Sequence, residues 1–317
     1  MVSLGIDYGT RSWKAALLQD GEILELRRFE RSEEVRHYLL AQGAHHPGLP
    51  IVLPSGFGIP LKRIQEVDDQ DLFEMALRRE KPRELGLSRF LDDLRSSDLH
   101  AYCIPAVKLL PSVPIHRKVN KIDMGTSDKL CSVAFFQKRL LDQGKTLEEM
   151  DFLALEVGEA FKAIVVVKRG KIVDGLGGTA GGIGPKSRGS IDGELAYLYE
   201  WKEKALIYSG GASDVEERFG DYGEEAFWES LEKELLMLLE FYQIETVLLA
   251  GRRKGEVLNR LGKRYRMEVF SQDEEGFEAA LGAAILANGI AGGRYEPLVT
   301  HLGIKEAKER VLDWILR

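Results

Sequence analysis

An acid, a glycine and a hydroxyl occupy the tightest turn of an apolar hairpin near the start of the chain. Residues 4–29 read LGIDYGTRSWKAALLQDGEILELRRF, with Asp7, Gly9 and Thr10 at this turn. A hairpin needs only turn residues there, and Gly9 alone would serve. Glycine lets the backbone approach a phosphate closely, and Thr10 adds a hydroxyl donor. Asp7 repels phosphate, so its presence favours a Mg²⁺ held between them, through water. The alternative is an ordinary turn with Asp7 as a local cap.

The same pattern recurs 149 positions later. LGIDYGTRSWKAALLQDGEILE aligns without a gap over LALEVGEAFKAIVVVKRGKIVD, which places Glu156 under Asp7 and Gly158 under Gly9. Each stretch reads as a strand, an acid-x-Gly turn, a longer strand, a two-residue turn and a third strand. Internal repetition of this kind predicts two similar halves. Chance similarity between two hairpins is the alternative.

After each three-stranded segment the pattern changes to alternating helices and strands. This order predicts an α/β fold: two mixed sheets, each covered by helices, facing each other across a cleft. The predicted helices span residues 31–42, 69–79, 87–94, 126–141, 192–204, 224–242, 255–261, 276–290 and 302–317. The predicted division is an N-terminal domain, a crossing helix, a C-terminal domain and a final helical segment that packs back on the first domain. Their limits are 1–125, 126–145, 146–292 and 293–317.

Composition excludes several classes of function. The 317-residue chain has a formal net charge of −7 and no basic block, which argues against nucleic acid and against an anionic membrane surface. Two cysteines form no disulfide framework, and no His, Cys or acid spacing suggests a metal-binding motif. No basic leader precedes the first strand, so we expect a cytoplasmic protein. The sequence leaves monomer and homodimer open.

The first hairpin resembles the first phosphate motif of the acetate and sugar kinase, heat-shock chaperone and actin superfamily. The matching residues are Asp7, Gly9, Thr10, Ser12, Lys14, Asp20 and Gly21. The second hairpin is similar to the second phosphate motif, with Glu156 where the family usually has Asp. TVLLAGRR resembles the adenosine motif that leads into Gly251, with Ala250 in place of a first glycine.

Within this superfamily the chain looks most similar to archaeal predicted butyrate kinases, relatives of acetate kinase. HRKVNKIDMGTSDKL, GLGGTAGGIGP and LLAGRR carry this resemblance. It implies two ribonuclease H-like domains, ATP and Mg²⁺ as cofactors, and a small carboxylic acid as phosphoryl acceptor. It also implies a metal near Asp7 and Glu156, and ATP contacts from both hairpins.

Further candidates each have an ordinary structural interpretation. The glycine-rich loop 175–184 is either a phosphate-facing loop, with Gly178 and Thr179 as contacts, or a linker. Asp128 either faces the cleft as a catalytic residue or serves a helix N-terminus. Arg117 either neutralises a carboxylate or phosphoryl group or is a solvated charge.

Two remaining loops have the same ambiguity. Ser55 and Gly56 follow a buried strand, where α/β folds bind ligands, yet they are also common turn residues. Arg252 follows the adenosine strand and either contacts the nucleotide or lies on the surface.

The sequence therefore predicts an ATP-dependent phosphotransferase with Lys14, Asp128 and Arg117 as catalytic residues. Phosphoryl transfer depends on positioning and charge neutralisation more than on covalent chemistry. Two alternatives stay open: a kinase of a sugar-like hydroxyl substrate, and a nucleotide-dependent switch without a small-molecule acceptor. A nucleotide-binding protein that has lost catalysis is a third.

Overall fold

The structure is a computed structural model of the full chain. It describes residues 1–9, 11–78, 86–199, 203–270 and 276–316. Thr10, one of the predicted phosphate contacts, lies outside the described residues, as do residue 79 and residues 200–202 at or near the ends of predicted helices.

Two mixed β-sheets form the framework, as the sequence predicts. The first sheet has the order β3-β2-β1-β4-β6-β5 and the second the order β11-β10-β7-β8-β9. The first contains β1 (Val2–Tyr8), β2 (Trp13–Gln19), β3 (Glu22–Phe29), β4 (Ile51–Val52), β5 (Gly58–Arg63) and β6 (Ala101–Pro105). The second contains β7 (Phe152–Val157), β8 (Lys162–Lys168), β9 (Lys171–Leu176), β10 (Thr246–Ala250) and β11 (Arg266–Glu268).

The two sheets repeat each other down to local irregularities. Both start with an antiparallel three-stranded meander and continue with parallel strands on the same side. The pairing register shifts between Leu17 and Leu18 of β2, where β3 has an extra residue, and at the equivalent place between Val166 and Val167 of β8, where β9 has an extra residue. The next turns also match, because Asp20 and Arg169 both have positive φ, at 52° and 48°. Shared bulges and turns make chance similarity of two hairpins untenable.

Eleven α-helices are found in the described part of the chain. They are α1 (Ser32–His45), α2 (Asp69–Ala76), α3 (Leu87–Leu94), α4 (Ile115–Lys118), α5 (Ser127–Asp142), α6 (Gly193–Tyr199), α7 (Ala212–Phe219), α8 (Tyr222–Tyr242), α9 (Lys254–Leu261), α10 (Glu278–Ile290) and α11 (Glu296–Leu302). Strand side chains alternate between two apolar layers, since successive residues point to opposite faces. Helices α1 and α3 cover the outer face of the first sheet, and α8 and α9 cover that of the second.

Helices α5 and α10 pack on each other and fill the space between the two sheets. Helix α10 packs on β1 and β2 of the first sheet although it comes late in the sequence, and α5 packs on α10, β7 and β8. The crossing is close: a methyl group at Gly282 would lie 1.7 Å from the carbonyl oxygen of Cys131. The largest apolar core therefore contains residues of both halves. We expect the hinge motion between the halves to be smaller than the motion between two loosely linked domains.

The predicted helix over residues 302–317 is wrong. Helix α11 ends at Leu302, and the following segment forms turns. It is held on the first half by ion pairs: Arg310 bonds to Asp71 at 2.8 Å and to Glu74 at 2.9 Å, and both carboxylates are buried. In this segment side-chain ion pairs take the place of helical hydrogen bonds. The spacing of apolar residues predicts a helix but does not indicate such ion pairs.

No helix in the described ranges combines the length and the apolar content needed to cross a membrane.

Candidate functional site

Five charged residues from both halves meet where the two hairpins face α5. Asp7 lies at the end of β1, opposite Lys14 on β2, and Glu156 lies at the equivalent place on β7. Asp128 and Lys129 lie in the first turn of α5. We call Asp7, Lys14, Asp128, Lys129 and Glu156 the acid–lysine cluster.

Each carboxylate of the cluster contacts an ammonium group. Lys14 Nζ lies 2.9 Å from Asp7 Oδ2, and Lys129 Nζ lies 2.7 Å from Glu156 Oε1. Lys129 also pairs with Asp128, which accepts a further hydrogen bond from the Thr126 hydroxyl. With three acids and two lysines the cluster has a formal charge of −1, so it attracts a cation.

Burial and mutual charge set the pKa values in the cluster. Burial favours the neutral form of Glu156, and with the nearby charges of Asp128 and Asp7 it raises the Glu156 pKa despite Lys129. Burial acts the same way on Asp128, but the Lys129 ammonium outweighs it and lowers the Asp128 pKa. The two carboxylates raise the Lys129 pKa against the effect of burial. Lys129 is therefore a fixed cation between two anions.

The amide groups of the two turn glycines donate hydrogen bonds within their own hairpins. Gly9 N–H donates to the Ser12 carbonyl at 3.1 Å, and Gly158 N–H donates to the Phe161 carbonyl at 2.9 Å. These two amides are therefore not free donors for a phosphate in this conformation, which differs from the expectation. Gly9 still matters sterically, because a methyl group there would lie 3.3 Å from Lys14 Nζ.

The donor set fits a Mg²⁺ bound mainly through water and phosphate oxygens. Asp7 accepts from Lys14 on one oxygen only, whereas Glu156 receives Lys129 on one oxygen and the Ser132 hydroxyl, at 2.9 Å, on the other. Asp7 is thus the better metal ligand, and Glu156 mainly anchors Lys129. The described residues contain no group of three or more His, Cys, Asp or Glu side chains that could hold a metal. Mg²⁺ needs only one or two carboxylates when a polyphosphate completes its shell.

Arg252 takes part in an ion-pair bridge between the two hairpin turns. Glu159, beside Gly158, pairs with Arg252 and also with Arg11, which lies in the first hairpin turn. Glu159 is 17% exposed, whereas the two arginines are more than half exposed. Gly251, just before Arg252, has φ +86° and approaches β7 so closely that a methyl group would lie 2.4 Å from the Val157 carbonyl oxygen. The adenosine-motif strand thus ends against the second hairpin.

The glycine-rich loop is tied to the first half by a buried acid. Thr179 donates to Asp123 Oδ2 from both its amide and its hydroxyl, each at 3.0 Å, and Asp123 is 6% exposed. Gly178 packs on Phe161, where a methyl group would lie 2.5 Å from the ring. The amide and the hydroxyl of Thr179 are therefore both bonded to Asp123. A phosphate would contact other atoms of the loop unless these two hydrogen bonds break.

Ser55 and Gly56 contact the start of α5, the helix that carries Asp128 and Lys129 of the cluster. Ser55 is fully buried, and its hydroxyl donates to the Leu53 carbonyl at 3.1 Å and accepts from the Ile104 amide at 3.0 Å. The Gly56 carbonyl accepts from the Ser127 amide at 2.8 Å, next to Asp128. The expected direct contact of Ser55 with an acceptor is corrected: this loop positions the start of α5.

Arg117 lies apart from the cluster. Its guanidinium donates to the Val173 carbonyl at 2.8 Å, lies 3.8 Å from Asp174 and packs 5.1 Å from the centre of the Tyr242 ring. None of these partners belongs to the acid–lysine cluster, so Arg117 joins α4 to β9 and α8.

Sequence reasoning missed Lys129, Arg11 and Glu159. Lys129 is adjacent to Asp128, and only the fold reveals that it also reaches Glu156. Arg11 and Glu159 follow the two turn glycines at nearly the same position in each repeat, with opposite charges. That charge complementarity between repeats was the available signal.

Comparison with known proteins identifies a family and similar folds. A family model described as "Protein of unknown function (DUF1464)" matches residues 5–317. No curated protein matches the chain. Acetate kinase from Porphyromonas gingivalis has a similar structure, with a TM-score of 0.56 and 12% identity over 89% of this chain and 98% of that one. Acetate kinase from Entamoeba histolytica has a TM-score of 0.54 and 10% identity over 82% of this chain and 84% of that one.

These similarities confirm the predicted fold class, because the two acetate kinases share the two-domain α/β fold of this chain. The narrower resemblance to archaeal predicted butyrate kinases stays a prediction. At such low identity the likeness shows the fold alone, and function must be argued from the site.

Proposed function

Because the chain belongs to the DUF1464 family, whose description states no function, we propose one from its site: an ATP-dependent phosphotransferase acting on a small carboxylic acid. One observation carries the proposal. The ends of two equivalent hairpins and the start of α5 bring Asp7, Lys14, Asp128, Lys129 and Glu156 into one cluster. This provides cations for a transferring phosphoryl group and an acid for a metal, where the two hairpins meet the start of α5.

The residues divide into a nucleotide side and an acceptor side. Lys14, held by Asp7 in the first hairpin, would neutralise charge on the phosphates, and Arg252 would approach the nucleotide from the adenosine-motif strand. When bound, Mg²⁺ supplies charge neutralisation to the phosphates, with Asp7 as its protein ligand and Glu156 nearby. Lys129 would stabilise negative charge at the point of transfer.

Asp128 lies on the acceptor side, because the loop that supports the start of α5 comes from the first half. In the proposed reaction a carboxylate oxygen of the acceptor bonds to the γ-phosphorus of ATP, the bond to the β–γ bridging oxygen breaks, and ADP leaves. The acceptor is already ionised at neutral pH, so no general base is needed. A hydroxyl acceptor would need one, and Asp128 is the candidate for that role.

The test is a screen for acceptor-dependent ADP release with Mg²⁺ and ATP. The acceptors are short-chain carboxylic acids, sugars and polyols, and hydroxylamine traps any acyl phosphate. We expect ADP release and a trapped hydroxamate with at least one acid, and neither with the Asp7→Asn variant. Release with sugars alone would favour the hydroxyl-kinase alternative. Equal ADP release with and without every acceptor would favour a nucleotide-dependent switch.

A further inference from the structure

Asp123 is a buried carboxylate that has no lysine or arginine partner in the described part of the chain. It is 6% exposed and lies shortly before α5, in the first half. The other buried acids of the described ranges each pair with a lysine or an arginine; they are Asp7, Asp71, Glu74 and Glu278. A buried charge is costly unless it is paired or hydrogen-bonded, so the groups around Asp123 must stabilise an anion.

Three hydrogen-bond donors surround the Asp123 carboxylate. Its Oδ1 accepts from the Gly125 amide at 3.1 Å, and its Oδ2 accepts from the amide and the hydroxyl of Thr179, each at 3.0 Å. Thr179 lies in the glycine-rich loop of the second half. The neighbouring amide, that of Gly178, donates no hydrogen bond within the described residues. Backbone amides of glycine-rich loops and hydroxyl groups of this kind are donors that proteins use to bind phosphate oxygens.

We propose that the donors of Gly178 and Thr179 form a phosphate subsite, and that the Asp123 carboxylate occupies this subsite in the present structure. A phosphate group of the nucleotide displaces Asp123 and accepts the same hydrogen bonds from Thr179. This inference rests on the proposed function and adds two roles to it: Thr179 binds a phosphate, and Asp123 competes with that phosphate.

Contacts join the glycine-rich loop to the second hairpin, where the proposed function places the ATP phosphates. Gly178 packs on Phe161, whose carbonyl accepts the Gly158 amide at 2.9 Å within the hairpin turn. The segment that follows the loop is bonded to the same turn, because the Ala160 carbonyl accepts from the Lys186 amide at 3.0 Å. The donors of the loop therefore lie beside the hairpin turn.

A phosphate reaches these donors only if Asp123 moves. Gly178 and Thr179 are partly exposed, but the loop closes tightly on the carboxylate: a methyl group at Gly177 would lie 1.8 Å from Asp123 Oδ1. The carboxylate and a phosphate are both anions, so they repel each other and compete for the same two hydrogens of Thr179. Binding of a phosphate therefore breaks a contact between the first half and the second half.

Calorimetry on the full chain tests the subsite with pyrophosphate, which supplies phosphate groups without an adenosine, at a fixed concentration of Mg²⁺. Acetate is titrated in parallel. The variant is Asp123→Asn, because Asn keeps the side-chain shape, removes the charge and has one acceptor oxygen instead of two. We expect pyrophosphate to bind at least about tenfold more tightly to Asp123→Asn than to the unmodified protein. Asp98→Asn removes an equal charge at an exposed position and should leave the affinity unchanged.

Thr179→Val shows whether the gain comes from the glycine-rich loop. Val has the branched shape of Thr and lacks the hydroxyl. The double variant Asp123→Asn with Thr179→Val should bind pyrophosphate at least about threefold more weakly than Asp123→Asn alone, because one hydrogen bond to a charged group is lost.

A measurement on the unmodified protein keeps the test independent of how well the variants fold. Saturating pyrophosphate should shift the NMR signal of the Asp123 carboxyl carbon, because this carboxylate then loses both hydrogen bonds from Thr179.

Four results would overturn the subsite. They are an unchanged or weaker affinity for pyrophosphate in Asp123→Asn, a gain that Thr179→Val does not reduce, an unshifted Asp123 signal at saturation, and an equal gain for acetate, which would assign the donors to a carboxylate. Pyrophosphate binding needs neither adenosine nor turnover. A phosphate subsite without kinase activity and a kinase without this subsite therefore give different outcomes.

Discussion

Lys129 Nζ lies 2.7 Å from Glu156 Oε1 and thereby joins the start of α5 to the second hairpin. The contact places a cation where two carboxylates would otherwise repel each other, since Asp128 pairs with the same ammonium. Lys129 thus holds the start of α5 and the second hairpin in one arrangement.

Lys129→Met should destabilise the fold by about 3 kcal/mol, because removing one partner of a buried ion pair leaves the remaining charges uncompensated. Urea unfolding of the variant measures this loss. Lys129→Met with Glu156→Gln should recover part of it, since one of the two stranded charges is gone. If the double variant is as unstable as the sum of both single variants, the coupling does not exist.

Glu159→Gln should tighten Mg–ATP binding about threefold, because it releases Arg11 and Arg252 from an exposed ion pair for use by phosphates. Calorimetry at low and high ionic strength measures the change, and the gain should shrink at high salt. Weaker binding in the variant would show that the bridge organises the nucleotide site.

Gly9→Ala should weaken Mg–ATP binding about tenfold, whereas Gly158→Ala should weaken it less. The added methyl at Gly9 lies 3.3 Å from Lys14 Nζ and 3.2 Å from the Ser12 carbonyl oxygen, whereas at Gly158 the nearest atom is 3.5 Å away. Neither glycine has positive φ, so both variants keep the hairpin. Equal affinities of the two variants would remove Lys14 from the phosphate site.

Lys108 should make stability rise with pH above about 8. Burial, and secondarily the charge of Lys118, lower the Lys108 pKa to about 8 in the folded chain, against about 10.4 when unfolded. Between these values the unfolded state binds more protons, so the free energy of unfolding increases with pH. Urea unfolding at several pH values should show this rise in the unmodified protein and a smaller rise in Lys108→Met, because Lys204, whose pKa burial also lowers to about 8, still contributes there. Parallel curves for the two would contradict it.

Local pattern was enough to predict the two meanders, their turns and most helices. The acid-x-Gly turns and the alternating strands depend on neighbours within one hairpin, so Asp7 and Glu156 could be matched by spacing alone. Helix α3 begins at Leu87 and ends at Leu94, as predicted, because its apolar face and its ends lie within one short segment.

Long-range packing determines the features of the fold and of the site that the sequence did not predict. The placement of α10 on the first sheet depends on Gly5 of β1, where a methyl group would lie 2.1 Å from the Ala280 carbonyl oxygen, and the sequence of the helix does not indicate which strand it contacts. Ser55 looked like a loop residue that meets ligand, yet tertiary contacts bury it completely. Lys129 contacts Glu156, which is far away in the sequence, and patterns within a single segment cannot indicate such a contact.

In the proposed function Mg–ATP binds between the two hairpins, with Asp7 at the metal. Calorimetry with a non-hydrolysable ATP analogue, with and without Mg²⁺, tests it on the unmodified protein and on Asp7→Asn, which keeps the side-chain shape and removes the charge. We expect the ATP analogue to bind only with Mg²⁺, and we expect its affinity to fall at least about tenfold in Asp7→Asn. Binding that does not depend on the metal, or an affinity unchanged in Asp7→Asn, would contradict it.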